Sequence, residues 1–268
     1  MNKITSKIGI MQGRVLPDST KKLQIFPKKW KEELPAIKKI GFDYIELLDD
    51  KEGRFRRLLK EYDVVEKANE SGLKCETICG FSLCDYSLFR DEGLFFEKLE
   101  ELVSAFKGKN IVILVPFFFE NKINDRKELS LILEKLSKYD NSLDGKNLYL
   151  SLEIDLPAEI IKDEFQKFPF KNTGICYDLG NNLEHGYNLY DDIILLKDYI
   201  NHIHIKDKEG GKNIRIREDS EQLRGAFRAI KEISFKGPMI LETCIAPDPQ
   251  EEAEKNLKTV EKYINKTN

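Results

Sequence analysis

Four stretches decide how this chain folds: Leu148-Tyr-Leu-Ser-Leu-Glu153, Thr173-Gly-Ile-Cys-Tyr-Asp178, Asn201-His-Ile-His204 and Met239-Ile-Leu-Glu242. Each is a short run rich in β-forming and apolar residues, and each ends on a carboxylate or an imidazole. A stretch with helical periodicity follows every one of them. Short apolar runs alternating with helices are the pattern of parallel strands in βα units, buried on both faces.

The same alternation extends over the rest of the chain. Strand-like runs begin near Ile8, Tyr44, Lys74, Asn110, Leu148, Thr173, Asn201 and Met239, about 25 to 38 residues apart. Amphipathic stretches lie between and after them: Trp30–Ile40, Leu58–Ser71, Glu92–Phe106, Arg126–Tyr139, Glu159–Phe168, Leu189–Tyr199, Ser220–Ile233 and Gln250–Ile264. Gly41, Gly72 and Gly108 stand where the first three should stop. Eight such units make a complete (β/α)8, or TIM, barrel. No linker divides the chain, so one domain over residues 1–268 is expected, with the longest polar connections at Leu16–Lys29 and Lys208–Asp219.

Composition narrows the function classes. The chain has 268 residues, 41% of them hydrophobic and 34% charged, which suits one large α/β domain. A net charge of −3 gives no global attraction to phosphate backbones, so nucleic acid is not expected as the main partner. No apolar run approaches the roughly 20 residues of a membrane span. Residues 1–7 lead straight into a strand rather than an apolar signal region, so a soluble, cytoplasmic protein is expected. Cys75, Cys79, Cys84, Cys176 and Cys244 form no Cys-x-x-Cys pair and read as reduced thiols, mostly buried.

Residues two apart on a strand share a face. On the inward face Ser151 lies beneath Glu153, Cys176 beneath Asp178, His202 beneath His204, and Ile240 beneath Glu242. Three carboxylates in one enclosed mouth repel each other and resist desolvation unless a cation compensates them. Any one of them alone is explained by capping the following helix or pairing with a base, but four at the ends of four successive strands point to one divalent metal site made of Glu153, Asp178, His204 and Glu242. Three carboxylates and one imidazole favour Mn²⁺, with Mg²⁺, Co²⁺ or Zn²⁺ as alternatives. Gln12 and Arg14 share a face at the end of the first strand and are candidates to donate to substrate oxygens; Glu46 is a candidate to orient a donor or meet a hydroxyl. Lys206 shares the face of His204 and could hold a substrate oxygen or neutralise Asp178 or Asp207.

Several motifs carry a resemblance. Gly9-Ile-Met-Gln-Gly-Arg14, Gly41-Phe-Asp-Tyr-Ile-Glu46, Leu152-Glu153, Cys176-Tyr-Asp178-Leu-Gly-Asn181, His202-Ile-His204-Ile-Lys-Asp207 and Gly237-Pro-Met-Ile-Leu-Glu242-Thr resemble the xylose isomerase-like barrels, which include sugar phosphate isomerases and epimerases, ketose 3-epimerases and inosose dehydratases. The resemblance runs nearly end to end. It implies that Glu153, Asp178, His204 and Glu242 match the family's metal positions, and that Glu153 and Glu242 match its acid/base pair. The reaction it implies is isomerisation or epimerisation of a small carbohydrate, free or phosphorylated. A divalent ion would polarise the carbonyl and adjacent hydroxyl, and the two glutamates would exchange the α proton through an enediolate.

Two departures from that pattern matter. Where many relatives have a Pro-Leu-Gly-x-Gly-like turn, this chain has Asn213-Ile-Arg-Ile-Arg217-Glu-Asp219, so Arg215 and Arg217 become candidates to bind an anionic group. Where some relatives place a histidine three residues after the aspartate, Asn181 stands here, and His185 reads as a surface loop residue. Two other functions compete: a sugar-binding barrel that keeps the metal ligands without turnover, and a metal-dependent hydrolase of the AP endonuclease type. The hydrolase needs a histidine-rich multinuclear cluster, and the whole chain has three histidines.

Overall fold

The structure, a computed structural model, describes residues 7–18, 25–118, 122–244 and 246–267. Eight parallel strands close into a barrel. They are β1 (Lys7–Met11), β2 (Tyr44–Leu48), β3 (Lys74–Cys79), β4 (Ile111–Pro116), β5 (Leu148–Glu153), β6 (Thr173–Asp178), β7 (Ile200–Ile205) and β10 (Pro238–Leu241). Neighbours in sequence are neighbours in space, and β1 closes the ring by pairing Lys7 with Pro238 and Ile10 with Leu241. No helix among the described residues is long and apolar enough to cross a membrane.

The outer helices follow the periodicity in the sequence. Trp30–Ile40 (α1) and Glu92–Phe106 (α4) have the bounds expected of them, and Arg126–Asp140 (α5) differs by one residue. Helix α4 buries Phe95, Leu99, Leu102, Val103 and Phe106, one stripe turned to the barrel. Asp91, Asp125 and Ser220 cap their helices by accepting backbone N–H groups, which sets where each begins.

Two local expectations are corrected and one helix is new. The stretch Leu58–Ser71 is not one helix but two, α2 (Arg54–Leu58) and α3 (Val64–Glu70), because the Asp63 carboxylate accepts the Glu66 N–H and starts the chain afresh. The connection Lys208–Asp219 holds a small hairpin, β8 (Asp207–Glu209) with β9 (Lys212–Ile214). Gly210 and Gly211, at φ 56° and 78°, make its turn, a Gly-Gly signal that the charged flanks concealed. A short helix, α7 (Leu179–Glu184), opens directly on Asp178. In the Leu16–Lys29 connection, residues 19–24 lie outside the described residues, as do residues 1–6 of the leading segment.

Inside the barrel, Met11, Leu48, Cys79, Leu114, Cys176 and Ile240 pack into an apolar layer of their own, distinct from the core under the helices. This layer is the floor on which the polar mouth rests. The cysteines expected to be buried are so, and Cys244 is half-buried; none is paired. Below the floor a shift of register pairs Ile175 with Ile200 but Cys176 with His202, leaving Asn201 as the extra residue. Asn201 packs on Gly174, donates to Leu150 O at 2.9 Å and accepts from Ser151 Oγ at 2.6 Å.

At the N-terminal end of the barrel, buried Asp140 accepts from Lys171 N (3.0 Å), Asn172 N (3.1 Å) and Thr173 Oγ1 (2.6 Å), tying α5 to the start of β6. Removing a charged acceptor from these part-buried donors costs about 1–3 kcal/mol. Asp140→Ala should lower chemical-denaturation stability by that amount while leaving divalent-ion affinity at the far end of the barrel as in the parent. A fall in affinity with unchanged stability would contradict this separation.

Candidate active site

The strand ends carry the polar residues to one place. Register puts Asp178 beside His204 across β6 and β7, and Ile240, two residues before Glu242, beside His204 across β7 and β10. Ligand atoms of Glu153, Asp178 and His204 lie within 4.8 Å of one another. His204 Nδ1 is 3.8 Å from Asp178 Oδ2 and 3.7 Å from Glu242 Oε2, so Glu242 belongs to the same cluster. The four residues singled out as ligands therefore converge, and all are buried.

Glu46 stands beneath them and sets the imidazole. Its Oε1 lies 2.9 Å from His204 Nε2 and its Oε2 3.2 Å from His202 Nε2. With Nε2 donating to Glu46, His204 turns Nδ1 toward the carboxylates, and Nδ1 has no hydrogen-bond partner among the described residues. A buried nitrogen without a partner, facing carboxylates and held from behind by another, is the arrangement of a histidine metal ligand. The donor set fits a hard divalent ion. Glu46 thus stands where it would orient the imidazole, the first of the two roles considered for it. His202 sits one layer down, where burial drives its pKa to about 3, so it is neutral.

Two cations balance the carboxylates. Lys206 Nζ lies 2.6 Å from Asp178 Oδ2 and 2.8 Å from Glu242 Oε2, and Arg14 Nη2 lies 3.0 Å from Glu242 Oε1. Lys206 therefore pairs with Asp178, as one reading of it held, and not with Asp207. Room for its stem comes from Gly180, where a Cβ would stand 2.4 Å from Lys206 Cγ. The charges separate the two glutamates. Burial, reinforced by Asp178, raises the Glu153 pKa from 4.5 to about 8. Burial also opposes ionisation of Glu242, but Lys206, Arg14 and His204 outweigh it and hold that carboxyl below its usual range. The same balance favours the charged forms of Asp178 and His204.

A cavity of about 410 Å³ opens above these groups. Strands β1 to β4 and their loops contribute Met11, Cys79, Phe81, Pro116 and Phe118; the other half contributes Glu153, Asp155, Asn181, His204, Lys206 and Glu242. Gln12 is buried at the edge of β1, its Oε1 accepting from Leu48 N at 3.4 Å. The hairpin arginines point elsewhere. Arg215 forks onto Glu252 (Nε to Oε1 2.9 Å) and Arg217 onto buried Asp207 (Nη2 to Oδ1 2.7 Å), and neither lines the cavity. The expected anion contact is replaced by two intrachain ion pairs, because Asp207 and Glu252 are buried acids needing partners. His185 is exposed and pairs with Asp155 at 2.7 Å.

Asn181 was missing from the candidates. Its Nδ2 lies 3.2 Å from Glu153 Oε1, while its own N–H bonds Asp178 Oδ1 at 2.9 Å. The available signal was the helix start itself, since an aspartate cap accepts from the residue two or three later and so brings that side chain to the mouth. Asp155 and the aromatic residues Phe81 and Phe118 come from loops that no strand pattern marks.

Residues 34–263 match the family described as xylose isomerase-like TIM barrel. The chain belongs to that family. No curated protein sequence matches it. Among solved structures it is similar to the 3-keto-D-glucoside 4-epimerase of E. coli, at 18% identity and TM-score 0.71 over 96% of this chain and 100% of that one. It is also similar to a xylose isomerase domain protein from Alicyclobacillus acidocaldarius (14%, TM-score 0.75, 98% and 99%) and to an L-ribulose 3-epimerase (14%, TM-score 0.68, 98% and 96%). At these identities the likeness establishes the barrel.

Glu153 and His204 must each release a proton before taking a cation. Divalent-ion affinity measured by calorimetry should therefore rise between pH 6 and 8.5, with protons released on binding. Glu153, raised to about 8, stabilises the fold fully below its ordinary 4.5 and loses that contribution as pH climbs through about 8, so ion-induced stabilisation should grow over the same span. Affinity independent of pH across this window would count against the ligand set.

Proposed function

We propose that this protein is a divalent-metal-dependent isomerase or epimerase of a small sugar or sugar phosphate, with Glu153 and Glu242 as its acid/base pair. The observation that carries the reading is the opposed environment of these two glutamates, on non-adjacent strands at one mouth. Two carboxyls with pKa values pushed apart are suited to hold a proton and to take one. Family membership and similarity to several sugar epimerases, one of them described in complex with D-allulose, support the substrate class.

Glu153, Asp178, His204 and Glu242 would hold the ion, Mn²⁺ being preferred for a site of three carboxylates and one imidazole. When bound, it supplies Lewis-acid polarisation of a carbonyl and its neighbouring hydroxyl. Glu242, ionised beside Lys206 and Arg14, takes the α proton. Glu153, on its own side of the cavity, would relay a proton from solvent to the enediolate, with Asn181 holding its carboxyl through Oε1. Lys206 steadies a substrate oxygen once cation and sugar share the mouth. Phe81 and Phe118 offer an apolar surface to the C–H face of a sugar and limit water.

A histidine-rich hydrolytic cluster lacks support, since His202 faces Glu46 and His185 faces Asp155. A barrel that binds sugar without turnover would share every feature except proton exchange, which therefore makes the test. Glu153→Gln and Glu242→Gln, each compared with the parent at saturating Mn²⁺, should lose about 10²–10⁴-fold in solvent deuterium incorporation at the sugar carbon. Parent-like exchange in both variants would remove the two-glutamate mechanism; no exchange by the parent across ketoses, aldoses and their phosphates would favour the binding barrel.

A further inference from the structure

Glu33 is a buried carboxylate with no place in the chemistry described so far. It lies in the first turn of α1, fully enclosed, and points away from the helix into the β1–α1 loop. Its Oε1 accepts backbone N–H groups from Gly13 (3.1 Å), Val15 (3.1 Å) and Leu16 (3.0 Å), and its Oε2 lies 3.1 Å from Gly13 N as well. Gly13 has φ 83°, a left-handed turn that bends these amides around one anion. The loop is also tied to β2, because Gln12 N donates to Glu46 O at 2.9 Å.

The residue within this wrap is Arg14. Its neighbours on both sides are bonded to Glu33, and its own side chain runs inward to Glu242 Oε1 at 3.0 Å and Met11 Sδ at 3.4 Å. Burying a carboxylate is costly, and a helix stop or a loop brace could be made from neutral groups. An anion collecting three amides from four successive residues fixes the backbone on either side of Arg14 far more tightly than turn propensity would.

We infer that Glu33 is a positioning residue for the active site, holding the Gly13–Leu16 backbone so that the Arg14 guanidinium stays on Glu242. The inference rests on the proposed acid/base role of Glu242, and it adds a link outside the cavity: α1, through Glu33 and Arg14, to the carboxylate just past the end of β10. Glu33→Gln is nearly isosteric but replaces one acceptor oxygen by an NH₂ facing amide donors, which loosens the loop without emptying the site.

The test compares Glu33→Gln, Arg14→Gln and the double variant in Mn²⁺-saturated protein. A misplacement of about 1 Å near a reacting group is worth up to roughly 10²-fold. Each single variant should lose about 10- to 100-fold in kcat for proton exchange with KM within a few-fold of the parent, and the double variant should be no slower than Arg14→Gln alone. Glu33→Asp, which keeps the charge, should recover part of the loss. With diamagnetic Mg²⁺ in place of Mn²⁺, the Gly13, Val15 and Leu16 amide proton resonances should move upfield in Glu33→Gln, and the Arg14 side-chain Nε signal should shift with them. Losses that multiply in the double variant, or parent-like kcat with only a lowered melting temperature, would overturn the inference. If the parent exchanges no sugar proton, the proposed function fails; the Arg14 Nε signal then decides alone, and its staying in place in Glu33→Gln would overturn the positioning role.

Discussion

Four carboxyl groups, on Glu46, Glu153, Asp178 and Glu242, share one desolvated end of the barrel, and the architecture of that end follows from the need to compensate them. Charge buried together without compensation is costly enough to force protonation or unfolding. The compensation is distributed. Lys206 bridges Asp178 and Glu242, Arg14 reaches Glu242, Glu46 lies against two imidazoles, and burial raises the Glu153 pKa to about 8. The partners come from separate parts of the ring, Arg14 just after β1 and His202, His204 and Lys206 on or just after β7, so the site exists only when the ring is closed.

That distribution produces asymmetry, and asymmetry is what proton transfer requires. Were Glu153 and Glu242 placed in like surroundings, both would ionise or both would be neutral. Instead Glu242 has two cations in contact, whereas Glu153 has Asp178 nearby and, among the described residues, accepts a hydrogen bond from the Asn181 amide. The apolar floor below strengthens each of these effects, since charges over Met11, Leu48, Leu114 and Ile240 are poorly screened.

Supporting contacts lie outside the strands that bear the chemistry. Gly180 lacks a side chain where the Lys206 stem passes, Asn181 uses a helix start to reach Glu153, and Glu33 folds a loop around its own carboxylate. The same economy explains the hairpin after β7. Its arginines are held by Asp207 and Glu252, so the hairpin is braced against the body of the protein and not presented to the cavity.

The barrel, its strand ends and the inward phase of Glu153, Asp178, His204 and Glu242 were legible in the amino-acid sequence, because period-2 and period-3.6 patterns are local and a strand's two faces follow from counting residues. The break of Leu58–Ser71 at Asp63 and the Gly210-Gly211 turn were also written there, but as weak signals overridden by neighbouring periodicity and charge. Only tertiary structure decided that Glu46 serves His204 across the ring, that Lys206 and Arg14 divide the two glutamates, and that Arg215 and Arg217 turn to Glu252 and Asp207. These pairings join residues up to 228 positions apart, as Arg14 and Glu242 are. A charge's partner depends on distance in space and on burial, and neither is a property of the surrounding stretch of sequence.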